Sequence, residues 1–389
     1  MNNTPIFLSY PYLHGNEQAY VLDCVKSEWI STGGAYVARF EKALAEYVGS
    51  DGAVACVNGT SALHICLLLA GVIPGEEIIV PTLTFIAPIN TVRYANAEPV
   101  FMDCDDYLNM DVDKLEDFLS TQCTRSEPGV INKRTGKRIR AIIPVHVFGA
   151  LCQMERLLAI AAKYGLVVIE DATEALGSRM KSGELVGKHA GVMGDYGCYS
   201  FNGNKIITCG GGGMIIARDP KKLAKAKYLT TQAKDDELHY VHHEVGYNYR
   251  LTAMQAAMGL AQLEQLPDFI EKKRKRYFEY KERIEKIPGL RLLDMPNYCE
   301  CNYWLFSLVI DKEVFGMDRD QLLKRFESEK IQTRPIWMLN HMQRPYVKNQ
   351  SYCIEKAPRY FDSILNIPCS VGLTDEELSR VVAVLANCQ

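Results

Sequence analysis

The sequence predicts an α/β protein: a mostly parallel, seven-stranded sheet between helices, with a smaller α+β part at the C-terminal end. Two observations carry this expectation. Over the first two-thirds of the chain, short apolar runs alternate with segments of helical periodicity, the pattern of parallel strands covered on both faces. After Arg250 the character changes to long helix-forming and charge-rich stretches, then to a mixed pattern from about residue 289. A chain of 389 residues is long enough for a large core and more than one domain. The expected division is residues 1–265, a large unit with an N-terminal arm, and 266–389, a small one.

Taken in order, the strands are expected at 53–57, 77–81, 99–103, 141–146, 167–170, 197–201 and 214–217, with helices at 61–70, 86–95 and 154–164 between them. The stretch TQCTRSEPGVINKRTGKRIR (121–140) is polar and basic. It reads as a surface loop, with the alternative that its cations approach a substrate's phosphates. LTAMQAAMGLAQLEQL (251–266) is a strong helix former, and the following IEKKRKRYFEYKERIEK is charge-rich at helical spacing. Its KKRKR run reads as a solvated helix face rather than a targeting signal. Further on, strands are expected at 303–310 and 331–336 and helices at 319–330 and 375–386, the last opened by a capping box of Thr374 and Glu377.

Composition excludes several classes. Apolar residues make up 48% and charged ones 23%, as in ordinary soluble domains. A net charge of −3 argues against nucleic acid or a membrane surface as partner. The N-terminus lacks a basic segment followed by an apolar run, and no apolar stretch approaches the roughly 18 residues of a membrane span. A cytoplasmic location is expected. The thirteen cysteines are odd in number, scattered and without a CxxC pair, so reduced thiols and no metal site are expected.

Three stretches carry candidate chemistry. In VNGTSALHICLLLAG (57–71) a strand ends, Gly59 turns the chain, and Thr60 or Ser61 caps a helix. Such a helix start is either a plain cap or a phosphate site. It is not a P-loop, and no GxGxxG follows the first strand, which counts against a nicotinamide-dependent oxidoreductase. In LVVIEDATEALGS (166–178) Glu170 and Asp171 stand at the carboxyl end of a buried strand, where ligands of such sheets bind. Asp171 there either pairs with a cationic ring nitrogen or serves structure, and Glu174 is placed to reach the same ligand. In SFNGNKIITCGGGGM (200–214) Ser200 ends a strand and Lys205 precedes four glycines. A primary amine forms an imine with an aldehyde cofactor, a carboxylate keeps a pyridine nitrogen protonated, and hydroxyls at a helix start hold a phosphate. The ordered set has the parts of a pyridoxal 5'-phosphate site.

With those residues in view, the sequence resembles the DegT/StrS family of sugar aminotransferases, within the aspartate-aminotransferase fold (fold type I of pyridoxal-phosphate enzymes). The segments that carry the resemblance are EWISTGGAYVARFE (28–41), NGTSALH (58–64), PTLTFIA (81–87), EDATEALGS (170–178), GDYGCYSFNGNKIITCGGGGM (194–214) and GYNYRLTAMQAA (246–257). The C-terminal third matches only loosely, through TRPIWMLNHMQRPY (333–346). The resemblance implies that Lys205 carries the cofactor and moves protons, and that Asp171 meets the pyridine nitrogen with Glu174 near the ring oxygen. Phe85 would stack on the ring, and Gly59, Thr60, Ser61 and Ser200 would hold the phosphate. Asn248 would reach the phosphate of a neighbouring subunit, which implies a homodimer with shared sites. Thr32, Arg250 and His341 would face the sugar nucleotide. Structural alternatives stand beside three of these: an ion pair for Arg250, a loop asparagine for Asn248, and a satisfied surface histidine for His341. Relatives that remove a hydroxyl carry histidine in place of the lysine, so Lys205 argues for amination.

Within that family the opening FLSYPYLHGNEQAYVLDCVKSEWIST and the 121–140 insertion look most like enzymes of bacillosamine and legionaminic acid synthesis. These move an amino group from glutamate to C4 of a UDP-linked 2-acetamido-4-keto-6-deoxy sugar for a bacterial surface glycan. The alternatives are a GDP- or dTDP-linked keto-sugar, of perosamine type, and a regulatory protein that keeps the fold without turnover.

Overall fold

A computed structural model describes residues 4–127 and 129–388. Seven strands form the central sheet: β1 (Val54–Cys56), β2 (Glu77–Pro81), β3 (Glu98–Met102), β4 (Arg138–Ile142), β5 (Val167–Asp171), β6 (Tyr196–Ser200) and β7 (Gly213–Ala217). Their order is β1-β7-β6-β5-β4-β2-β3. All neighbours from β6 to β3 run parallel, and β7 is antiparallel to both of its neighbours. The inner strands are buried along almost their whole length, which explains why they read as continuous apolar runs.

The parallel strands share one carboxyl edge, and the turns after β5 and β6 emerge there together. The first helices of the chain are α1 (Glu17–Lys26), α2 (Ala35–Val48) and α3 (Gly59–Leu69). Helix α3 follows β1 and lies against β6 and β7. Helix α4 (Ala253–Leu263) packs on α1 and α2, and Thr252 and Gln255 close a capping box at its start.

The 121–140 stretch is not a loose loop. Cys123–Ser126 and Gly129–Asn132 form a hairpin whose inner strand pairs with β4 through Val130 and Ile131. This partner draws the start of β4 to Arg138, ahead of the expected 141. The hairpin precedes β4, so it extends from the amino end of a parallel strand. Its cations therefore lie away from the carboxyl edge, contrary to the alternative that they approach a substrate there.

The C-terminal part holds a four-stranded antiparallel sheet in the order Leu290–Leu292, Phe306–Ile310, Ile364–Ile367, Arg334–Pro335. The strand expected at 303–310 begins later, and that at 331–336 is reduced to two residues. The helix at Asp375–Ala386 and its Thr374–Glu377 capping box are as expected. The charged helix Leu266–Ile284 makes surface ion pairs such as Lys272–Asp268 and Arg274–Glu271. Lys273 of the KKRKR run departs from the solvated face: it is 2% exposed and its Nζ donates to the Cys369 carbonyl.

Two crossings tie the parts together. Ile6 pairs with Ile331, Leu8 accepts from Cys369 N–H at 2.8 Å, and Tyr10 N–H donates to Ser370 Oγ. In return, Ser351–Tyr352 adds to the β3 edge of the central sheet. All thirteen cysteines are free thiols. Among the described residues no helix is long and apolar enough to cross a membrane.

Candidate active site

A cavity of about 330 Å³ opens at the carboxyl edge, between the start of α3 and the turns that follow β5 and β6. Gly59, Thr60, Phe85, Asp171, Glu174, Ser200 and Lys205 all line it. Seven of the twelve expected site residues, scattered over nearly 150 positions of sequence, therefore meet in one place.

The start of α3 differs from expectation in one respect. Asn58, not Thr60 or Ser61, is the N-cap: its Oδ1 accepts from Ser61 N–H at 2.7 Å. Gly59, Thr60 and Ser61 are the first helical turn, where backbone N–H groups lack intrahelical partners and the dipole is positive. Gly59 is required by close approach. A Cβ there would stand 2.9 Å from Ser200 Cβ and 3.1 Å from Thr173 Cγ2. The glycine run after Lys205 serves the same packing, since a Cβ on Gly213 would fall 2.5 Å from the Asn58 carbonyl carbon. The run thus brings β7 against the helix start and seats the Ser200 hydroxyl beside Gly59.

Asp171 and Glu170 end β5, and adjacent strand residues face opposite ways. Asp171 turns to the cavity, 2% exposed, and accepts from Thr173 N–H at 3.1 Å. Glu170 turns into the core, where it accepts from the N–H groups of Gly191, Met193 and Gly194 and from His146 Nε2 at 2.9 Å. Because Cys152 N–H donates to His146 Nδ1, the proton shared with Glu170 sits on Nε2. Glu170 therefore serves structure.

Lys205 is largely buried, with its Nζ 3.7 Å from Glu174 Oε1. Burial holds its amine below the ordinary lysine range, while the carboxyls of Glu174 and Asp171 work the other way. Burial pushes the Glu174 carboxyl up to about 7, against the opposing pull of Lys205 and of the Phe148 N–H that bonds to its Oε2. Asp171 is likewise raised by burial, opposed by its bonds to Thr173 and by Lys205. Two acids and an amine with displaced proton affinities in one cavity are the makings of proton transfer near neutral pH.

The other expected residues lie elsewhere. Ser61 is buried in the first turn of α3 and does not line the cavity. Asn248 is exposed on an antiparallel bridge to Thr231. Arg250 bridges to Cys56, and its Nε is buried with no hydrogen-bond partner among the described residues. Thr32 follows Ser31, whose carbonyl accepts from Ala253 N–H at the start of α4. His341 is held by Thr82, Nδ1 to Oγ1 at 2.6 Å, and does not line the cavity. Residues that the sequence reading passed over also form the walls: Asn58, Thr84, Thr173, Asn202, Trp304 and Trp337. Of these, only Asn58 carried a local signal, as a capping residue one step before the glycine.

The residues present fit pyridoxal phosphate. The buried amine can link to its aldehyde, and the buried Asp171 can meet a cationic ring nitrogen. The helix start that only a glycine fits beside Ser200 can seat its phosphate.

Comparison with known proteins points to the same cofactor. The model of the DegT/DnrJ/EryC1/StrS aminotransferase family matches residues 11–386. A GDP-perosamine synthase of Caulobacter vibrioides is 37% identical over 390 residues, covering 99% of each chain. The putative pyridoxal phosphate-dependent aminotransferase EpsN of Bacillus subtilis is 36% identical, over 98% of this chain and 95% of its own. Among solved structures, a DegT DnrJ EryC1 StrS aminotransferase from Brucella abortus matches with a TM-score of 0.85 at 27% identity, over 96% of this chain and 95% of that one. The expected bacillosamine or legionaminic acid type has no counterpart in these three, of which the first makes GDP-perosamine. Matched along nearly its whole length, the chain belongs to the DegT/DnrJ/EryC1/StrS aminotransferase family and is a pyridoxal-phosphate-dependent sugar aminotransferase.

Proposed function

We propose that this enzyme moves an amino group from glutamate to the C4 carbonyl of a nucleotide-linked 4-keto-6-deoxy sugar, with UDP-2-acetamido-4-keto-2,4,6-trideoxyhexose as substrate and a bacterial surface glycan as the destination. The observation that carries the reaction type is the Lys205 amine, buried beside Glu174 in the cavity that Asp171 also lines. The choice of sugar rests on the opening segment and the 121–140 insertion. The relative that makes GDP-perosamine, at 37% identity, favours a second reading in which the sugar is GDP-linked.

Pyridoxal phosphate, when bound, supplies the electron sink that makes the α-hydrogen of the amino donor removable. The chain does the rest. Lys205, its amine held below the ordinary lysine range by burial, takes a proton at Nζ, holds it and gives it up again in each half of the reaction. Asp171 meets the pyridine nitrogen and keeps it charged. Glu174 would sit near the ring oxygen, and Phe85, 54% exposed at the cavity wall, would cover one ring face. Gly59, Thr60 and Ser200, which line the cavity, would hold the phosphate through N–H and hydroxyl groups, whereas Ser61, outside the lining and with its N–H bonded to Asn58, would act only through the helix turn it belongs to.

Asn248 stands outside the cavity of its own chain, so its part at a phosphate requires a second copy. The exposed side chains of Trp29, Ile30, Leu238 and Val245 suit a homodimer that would bring it there. Thr32, Arg250 and His341 are assigned to the sugar nucleotide. Residues 1–265 form the cofactor-binding unit and 266–389 the smaller one, in a cytoplasmic enzyme.

The test is to mix enzyme and glutamate with UDP-, GDP- and dTDP-linked 4-keto-sugars and weigh the products. An amino sugar from the UDP substrate alone supports the first reading, and one from the GDP substrate alone supports the second. No amino product from any of them refutes both. Lys205→Ala should abolish turnover while still binding pyridoxamine phosphate. Wild-type activity in that variant would remove Lys205 from its role.

A further inference from the structure

Trp304 stands beside the reactive lysine without a part in the scheme above. Its ring centroid lies 4.0 Å from Lys205 Nζ, and it is 4% exposed. Its indole N–H donates to the carbonyl of Asn204, the residue before Lys205, at 2.7 Å. Its backbone N–H donates to Asn302 Oδ1 at 2.9 Å, and Asn302 in turn donates from Nδ2 to the carbonyls of Glu174 and Leu176. One buried residue, through its indole on one side and its backbone and Asn302 on the other, thus joins the turn that carries Lys205 to the turn that carries Glu174.

We infer that Trp304 is a positioning residue for proton transfer: its indole face holds Lys205 in the proton-carrying form, and its N–H fixes the turn on which Lys205 rides. This rests on the reading of Lys205 as the reacting amine. The negative face of an aromatic ring attracts an ammonium but not a neutral amine, so the contact selects one protonation state. The other groups facing Lys205 are Glu174 and Asp171, and Lys273 borders the small void behind Lys205 and Trp304. Glu174, raised to about 7 by burial, is only partly ionised near neutral pH. The indole supplies an attraction that persists when that carboxyl takes up a proton. Trp304 is therefore matched to the moment at which Lys205 holds a proton between two carbon atoms.

The test follows Lys205 acetylation against pH by mass spectrometry, in the full-length chain freed of cofactor. Trp304→Leu, Trp304→Phe and a chain built with benzo-ring-fluorinated tryptophan are compared with wild type. Fluorination keeps the ring's shape and weakens its negative face. The Lys205 titration is expected to fall by about half to one pH unit in Trp304→Leu and in the fluorinated chain, and to stay within about 0.3 unit in Trp304→Phe. A fluorinated Trp304→Phe chain, which still carries fluorinated Trp29 and Trp337, should lose the shift. A residue that only shields Lys205 from water gives the opposite sign: Trp304→Leu raises the titration and fluorination leaves it unmoved. Either result, or a shift that persists in the fluorinated Trp304→Phe chain, overturns the inference. If Trp304→Leu does not fold, the fluorinated pair decides alone. Borohydride fixation of the cofactor to a lysine other than Lys205 is a separate result, and it overturns the assignment of Lys205 itself.

Discussion

Replacing Glu174 by glutamine removes a buried acid that titrates near neutrality, and the consequence for stability has a definite sign. The folded chain raises this carboxyl from 4.5 to about 7, so the native state binds its proton more tightly than the unfolded state does. Wild-type stability is therefore fully present below about pH 4.5, falls as pH rises, and levels off above about pH 7. The whole loss is about 2.5 pH units at 1.36 kcal/mol each, or about 3.4 kcal/mol. Between pH 5 and pH 8 the share lost is about 2.5 kcal/mol. Glutamine keeps an oxygen for the Phe148 N–H and carries no charge to desolvate. With an unfolding entropy of roughly 0.8 kcal/mol/K for a chain this long, the share amounts to ~3 °C in Tm. Thermal melts of cofactor-free wild type and Glu174→Gln at pH 5 and pH 8 form the assay. The variant's Tm relative to wild type should be about 3 °C higher at pH 8 than at pH 5. An offset that does not change with pH, or that changes in the other direction, would refute the reasoning.

Gly59→Ala puts a methyl 2.9 Å from Ser200 Cβ. Overpacking of about 1–3 kcal/mol should weaken pyridoxal phosphate binding by roughly tenfold or more, read by absorbance titration; unchanged affinity would mean the contact does not shape the phosphate seat. Asp171→Asn should keep the cofactor but lower kcat by on the order of 100-fold, since it removes one buried charge from the ring nitrogen; steady-state kinetics beside a bound-cofactor spectrum decides. Thr374→Ala breaks a capping box that does not line the cavity, so chemical denaturation should show a loss of about 1 kcal/mol with kcat unchanged. A drop in kcat there would tie the last helix to the reaction.

The central sheet was legible because its strands are buried on both faces and so leave unbroken apolar runs; β2 and the helix Met154–Tyr164 fall on the residues expected. The hairpin in 121–140 was not, because its outer strand is exposed after Cys123 and its inner one buries only Val130 and Asn132. Pairing with β4, rather than local pattern, makes it a strand. Ile364–Ile367 escaped notice as a four-residue run directly after a helix. In the site, Lys205, Asp171, Glu174 and the Gly59–Thr60 turn were legible because each follows a strand at the same edge. Trp304 was not, since it reaches Lys205 from almost 100 residues away and sits in a run, CNYWLF, that reads as plain strand. The places of Asn248, Arg250 and Thr32 outside the cavity follow from how the chain folds after Thr230, which no local pattern announces.

The clasp between residues 6–10 and the far end of the chain bears on how the molecule is made. Ile6, Leu8 and Tyr10 find their partners at Ile331, Gln332, Cys369 and Ser370. On a ribosome, residues 6–10 must wait for more than 300 further residues before they can dock. The central sheet, whose last strand ends at Ala217, can assemble well before that. The clasp closes late, over Thr208, Lys273 and Trp304, which border the same small void as residues 9–12. The back wall of the reactive lysine is thus completed by residues made more than 300 positions ahead of their partners and among the last of the described residues to find their place.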